Sequence, residues 1–119
     1  MPIESDQLTA ILRIGHDTSM RGQGLSLRDA LARSEYSRLR CEFDASDLVP
    51  LLRGNPELMT QWLSYCKDKR TSGGFWVSET TCEVGSLETP ECDLRCESLE
   101  EAVAQFVVRE LDYWSDTDG

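Results

Sequence analysis

A chain of 119 residues, 39% hydrophobic and 29% charged, is long enough for one domain with one core and too short for two of ordinary size. That composition excludes a disordered chain, and no window holds the roughly 18 apolar residues of a membrane span, so a soluble, cytoplasmic protein is expected. The net charge of −10 is uneven: residues 1–78 carry ten acidic and ten basic side chains, whereas residues 79–119 carry twelve acidic ones against Arg95 and Arg109. A field of this sign in the last third repels nucleic acid and anionic lipid, and it steers a basic protein toward that end. The plainer account of the same charge is solubility. The N-terminus, MPIESDQLTAILRIG, has neither a basic leader nor the apolar run of an export signal. Five cysteines is an odd number, so reduced thiols are expected rather than a disulfide framework.

Residues 6–14 place Leu8, Ile11 and Leu12 at helical spacings, with Ser5 as a cap and Gly15 as a stop. His16–Gly24 is a polar connection with two glycines. Ser26 and Asp29 then resemble a capping box that opens a helix over Leu27–Ser34, whose apolar side is small: Leu27, Ala30 and Leu31. From Ser37 to Asp44 the pattern alternates, with Leu39, Cys41 and Phe43 on one side and Arg38, Arg40 and Glu42 on the other, the period of a strand with one wet face. Ser46 or Asp47 caps a short helix from Leu48 to Arg53. Pro50 falls early enough in it to cost little hydrogen bonding, and Gly54 ends it.

Asn55–Glu79 is the stretch around which the rest of the chain is expected to pack. Asn55 suits an N-cap, Pro56 suits the first helical position, and Glu57 puts a carboxylate at the positive end of the dipole. Over 56–68, Leu58, Met59, Trp62, Leu63, Tyr65 and Cys66 fall within an arc of about 160°. Thr71–Gly74 breaks the helical period, and Phe75–Glu79 and Cys82–Leu87 read as a hairpin about Thr80-Thr81. Residues 88–97 have no period and contain a proline, which reads as a loop. Ser98-Leu99-Glu100-Glu101 is a capping box that opens a helix to about Trp114, with Leu99, Ala102, Val103, Phe106, Val107, Leu111 and Trp114 on its apolar side. Residues 115–119 should fray. The expected fold is α+β, a single domain over residues 1–114 with a small antiparallel sheet of about three strands covered on one face by helices.

Cys82, Cys92 and Cys96 follow the spacing C-x9-C-x3-C, with Cys66 and His16 as conceivable fourth ligands. Structural zinc sites show paired knuckles two to four residues apart, and here only the second pair qualifies, so neither a metal nor another cofactor is expected. Core residues at Cys41 and Cys66, a strand residue at Cys82 and loop thiols at Cys92 and Cys96 are the plainer account. Glu91 and Asp93 beside Cys92 disfavour its thiolate. His16, beside Asp17, is the single histidine, and no G-x-S-x-G elbow or caspase- or papain-like cysteine context accompanies it, so no catalytic residue is assigned.

The densest cationic run is KDKRTSGG, in which Lys69 and Arg70 with the Gly73 and Gly74 amides form a candidate anion nest. Cations at a helix C-terminus are also what the dipole favours, and neither a Walker loop nor GxGxxG is present. Glu110 falls inside the apolar arc of the last helix. It must reach water at the helix end, pair with an arginine such as Arg38 or Arg40, or belong to a site. Trp62, Trp76 and Trp114 are core residues or line a pocket.

The expected function is a non-enzymatic acidic binding module of inhibitor, immunity or adaptor type. It docks a basic protein partner through Glu88, Glu91, Asp93, Glu97, Glu100 and Glu101 at residues 88–101, with no direct contact to nucleic acid or membrane. The competing expectations are a small-molecule or anion-binding protein or enzyme built on the KDKRTSGG turn, and a nucleic-acid mimic whose carboxylates imitate phosphates.

Overall fold

The computed structural model describes residues 5–14, 31, 36–68, 74–86 and 92–117. In chain order these form α1 (Ser5–Leu12), α2 (Tyr36–Leu39) running into a 3-10 turn (Arg40–Glu42), α3 (Ala45–Gly54), α4 (Pro56–Asp68), β1 (Phe75–Val77), β2 (Glu83–Ser86), β3 (Cys92–Arg95) and α5 (Leu99–Thr117). The His16–Gly24 connection, the Leu27–Ser34 helix apart from helical, buried Leu31, and segments 69–73 and 87–91 lie outside the described residues.

The architecture is α+β. The strands form one antiparallel sheet in the order β1-β2-β3, and α4 and α5 lie against it. The centre of the packing is α5 rather than the Asn55–Glu79 stretch. Ala102, Val103, Ala104, Phe106, Val107, Val108 and Leu111 are all buried, and a helix apolar around most of its circumference must be enclosed by neighbours. Here α3, α4, β1 and β2 enclose it. The helix continues to Thr117, past the expected Trp114, because no helix breaker intervenes before Gly119.

Helix α4 forms over the expected residues. It buries Trp62 completely, edge-on to Tyr65 and Phe106. The indole Nε1–H donates to the Leu12 carbonyl at 2.7 Å, which ties α4 to the end of α1 and satisfies the polar atom of a buried tryptophan. Asn55 serves the preceding helix. Its side-chain amide donates to the Leu51 carbonyl at 2.9 Å, while its own carbonyl accepts the Leu58 N–H at 3.0 Å.

The strand expected over Ser37–Asp44 is helical instead. Tyr36, Leu39 and Phe43 are buried at helical spacings and Cys41 is exposed, so the alternating pattern was carried by one residue that does not face the core. Helix α3 starts at Ala45, not Leu48. Asp44 stands at its N-cap, and the Asp47 carboxylate returns to the Asp44 N–H at 2.8 Å. Pro50 consequently sits in the second turn, where the N–H that would bond the Ser46 carbonyl is missing.

The hairpin loop is Glu79–Cys82 rather than Thr80-Thr81 alone. Ser78 N–H donates to the Glu83 carbonyl and Cys82 N–H to the Ser78 carbonyl, both at 2.9 Å, and Cys82 takes a φ of 58°. Two β-branched threonines do not supply the positive φ that a two-residue turn requires. Part of the expected 88–97 loop is β3, which pairs with β2 through a register shift at Val84/Gly85 and sets Glu83 opposite Arg95. A four-residue edge strand with a single neighbour needs no alternation to form. On the sheet, Trp76 lies over its partner Gly85, where any Cβ would clash with the indole ring, so the close approach requires glycine.

Candidate functional site

The carboxylates described in the last third fall into two groups. At the start of α5, Ser98 is the N-cap: its Oγ accepts the Glu101 N–H at 3.2 Å, and the Glu101 carboxylate reaches back to the Glu97 N–H at 3.3 Å. The expected capping box is thus present, with its return bond shifted by one residue. Glu97 is exposed and Glu100 and Glu101 are half-buried. Among the described residues no cation is paired with any of the three, and the helix dipole favours negative charge at that end.

The other described acidic groups of this third have internal partners. Glu79 meets Lys67 at 2.8 Å and Glu83 meets Arg95 at 3.5 Å. The Asp112 carboxylate accepts the Arg40 Nε–H at 2.8 and 3.0 Å and the Tyr36 hydroxyl at 2.7 Å, and Arg40 also donates to the Phe43 carbonyl at 3.0 Å. Burial first, then the Asp112 hydrogen bond and charge, pushes the Tyr36 phenol above its usual range. The Asp112 hydrogen bond holds the Arg40 guanidinium more firmly protonated.

Glu110 is fully buried. Its two oxygens accept the Tyr65 hydroxyl at 2.7 Å and the Phe75 N–H at 2.9 Å, which binds α5 to the last turns of α4 and to the first residue of β1. It does not reach water at the helix end, and of the two arginines considered for it Arg38 is exposed and Arg40 is engaged with Asp112. Tyr65 is raised in turn, by burial first and then by the Glu110 charge and hydrogen bond. Gly74 takes a φ of 94°, and the amide that follows it, Phe75 N–H, is occupied by the protein's own carboxylate. Of the candidate anion nest, only Gly74 falls among the described residues.

The acidic corner borders a groove of about 530 Å³ between α3, β3 and the first two turns of α5. Ala45, Val49, Pro50, Leu94, Cys96 and Ala104 supply apolar lining, and Ser46, Arg53, Arg95, Glu97, Glu101 and Gln105 supply polar groups. Arg95 is already engaged with Glu83, whereas Arg53 is exposed and has no acidic partner among the described residues. The groove was not foreseeable from the sequence, because its walls lie some fifty positions apart along the chain.

Of the residues expected to bind a partner, Glu97, Glu100 and Glu101 are gathered at this corner. Asp93 contributes backbone to β3, and Glu88 and Glu91 lie outside the described residues, as do Lys69, Arg70, Gly73 and His16. Cys82 and Cys96 are neighbours across β2 and β3, Cys66 lies with its Sγ 3.9 Å from the Val77 carbonyl, and Cys41 is exposed. Trp62 belongs to the core and Trp76 covers Gly85. Comparison with protein-family models, with curated proteins and with solved structures gives no match.

Proposed function

We propose that the protein is a non-enzymatic binding module that docks a basic protein partner through residues 88–101, centred on the corner that carries Glu97, Glu100 and Glu101. The observation that carries this reading is the contrast among the acidic side chains. Glu97, Glu100 and Glu101 have no cationic partner among the described residues, and Glu97 and Glu101 line an open groove with apolar walls, while Glu79, Glu83, Glu110 and Asp112 are taken up by contacts within the fold. The groove accommodates an apolar side chain and the corner draws the basic residues that flank it; Arg53 on the opposite lip favours one acidic residue in the same segment. Rim carboxylates act mainly on the association rate and are screened by salt.

The reading is tested by identifying the partner through crosslinking and measuring its affinity for the wild type and for the Glu97→Gln, Glu100→Gln, Glu101→Gln triple variant. Raising salt from about 0.05 to about 0.5 M is expected to weaken the wild type by about tenfold or more, and the triple variant much less. A footprint away from the corner, or an affinity indifferent to salt, would refute it.

A further inference from the structure

Two cysteines face each other across the sheet. β2 and β3 run antiparallel with Glu83 opposite Arg95 and Val84 opposite Leu94. One step toward the hairpin, the same register sets Cys82 opposite Cys96, and the Cys96 N–H donates to the Cys82 carbonyl at 2.9 Å. Both side chains pack half-buried against the core. Opposed residues of an antiparallel ladder have Cα atoms about 4.5–5.5 Å apart, within the span of about 4.4–6.8 Å that a disulfide bridges. Both are thiols here, not halves of a disulfide.

A second observation marks the pair. The φ of 58° at Cys82 is the left-handed conformation with which glycine or asparagine ordinarily closes a hairpin loop, yet a cysteine holds the position.

We propose that Cys82 and Cys96 are an oxidative modification site, forming an intrachain disulfide with a small-molecule disulfide such as oxidised glutathione as oxidant. One thiolate attacks the glutathione S–S bond, which gives a mixed disulfide and releases one glutathione thiolate. The facing thiolate then attacks the protein sulfur of that mixed disulfide and releases the second glutathione. Overall the protein dithiol loses two electrons and two protons, and glutathione disulfide gains them as two thiols. The bond staples the end of the hairpin to β3, and because Cys96 also lines the groove it is assayed on the chain without a partner.

The test incubates the full chain in buffers of graded oxidised-to-reduced glutathione ratio, quenches with acid, and reads intact mass and a non-reduced peptide map. The wild type is expected to lose two hydrogens with Cys82 joined to Cys96, and Cys66→Ser is expected to do the same. Cys82→Ser and Cys96→Ser, checked for fold by circular dichroism, are expected to lack the two-hydrogen loss and to take up glutathione at the remaining cysteine. The wild-type map decides alone if either variant fails to fold. A bond between any other pair, or glutathione on both Cys82 and Cys96 with no bond between them, overturns the proposal.

Discussion

The two ends of α5 carry the same kind of side chain in opposite service. At its start, Glu97, Glu100 and Glu101 face water or the groove, and the helix dipole is their main support. In its second half, Glu110 is sealed between Tyr65 and the Phe75 amide, and Asp112 is held by Tyr36 and Arg40. A charge count treats these carboxylates alike. What separates them is whether a hydrogen-bond donor from elsewhere in the fold reaches them, since a buried carboxylate persists only when its oxygens are satisfied.

The comparison breaks first at Glu110. Glu110→Ala orphans the Tyr65 hydroxyl and the Phe75 N–H together, each costing about 1–3 kcal/mol, so urea denaturation should show a loss of about 3 kcal/mol or more. An unchanged midpoint would mean that Glu110 does not clamp β1 to α4. Alkaline pH probes the same half of the helix. Both phenols titrate above their ordinary value of 10.0 in the folded state; the stability they contribute is therefore present below pH 10.0 and is lost as the pH rises above it. Each adds a slope of about 1.4 kcal/mol per pH unit in that window. Denaturation midpoints measured between neutral pH and the alkaline range should fall accordingly, and Tyr65→Phe and Tyr36→Phe should each remove their share of the fall.

Asp112 should matter less. Its pair with Arg40 is about one-third exposed on each side, so Asp112→Ala is expected to cost about 1 kcal/mol in the same assay, mostly through the Tyr36 hydroxyl. The smallest effect belongs to the corner. Replacing Glu97, Glu100 and Glu101 by glutamine should change stability by less than about 1 kcal/mol, since only dipole and cap terms are touched. A larger loss would place these residues with the structural carboxylates.

Much of this was legible in the residues and some was not. The capping box at Ser98, helix α4 and the hairpin strands follow from local chemistry: a hydroxyl at an N-cap, proline at the first turn, aromatic and β-branched residues in a short run. Ser37–Asp44 was ambiguous because Leu39 and Phe43 satisfy a strand period and a helical one alike, and Tyr36, which extends the helical set, decided in favour of Asp112 and Val108. β3 was hidden because its pairing comes from β2 and not from its own pattern. Glu110 was recognisable as a carboxylate out of place on an apolar face, but its donors come from α4 and β1, forty-five and thirty-five residues away, a distance at which sequence spacing carries no information. The groove was hidden for the same reason.

The division of carboxylates is tested most directly by titrating isotopically labelled protein at low salt with a short arginine-rich peptide carrying one aromatic residue, and following the backbone amides by NMR. The account predicts shifts concentrated at residues 97–101 and along the groove from Ala45 to Arg53, with Phe75 and Asp112 unmoved. Shifts of equal size at Glu79, Glu83 and Asp112 would contradict it, because those acids would then be as available as the three at the corner.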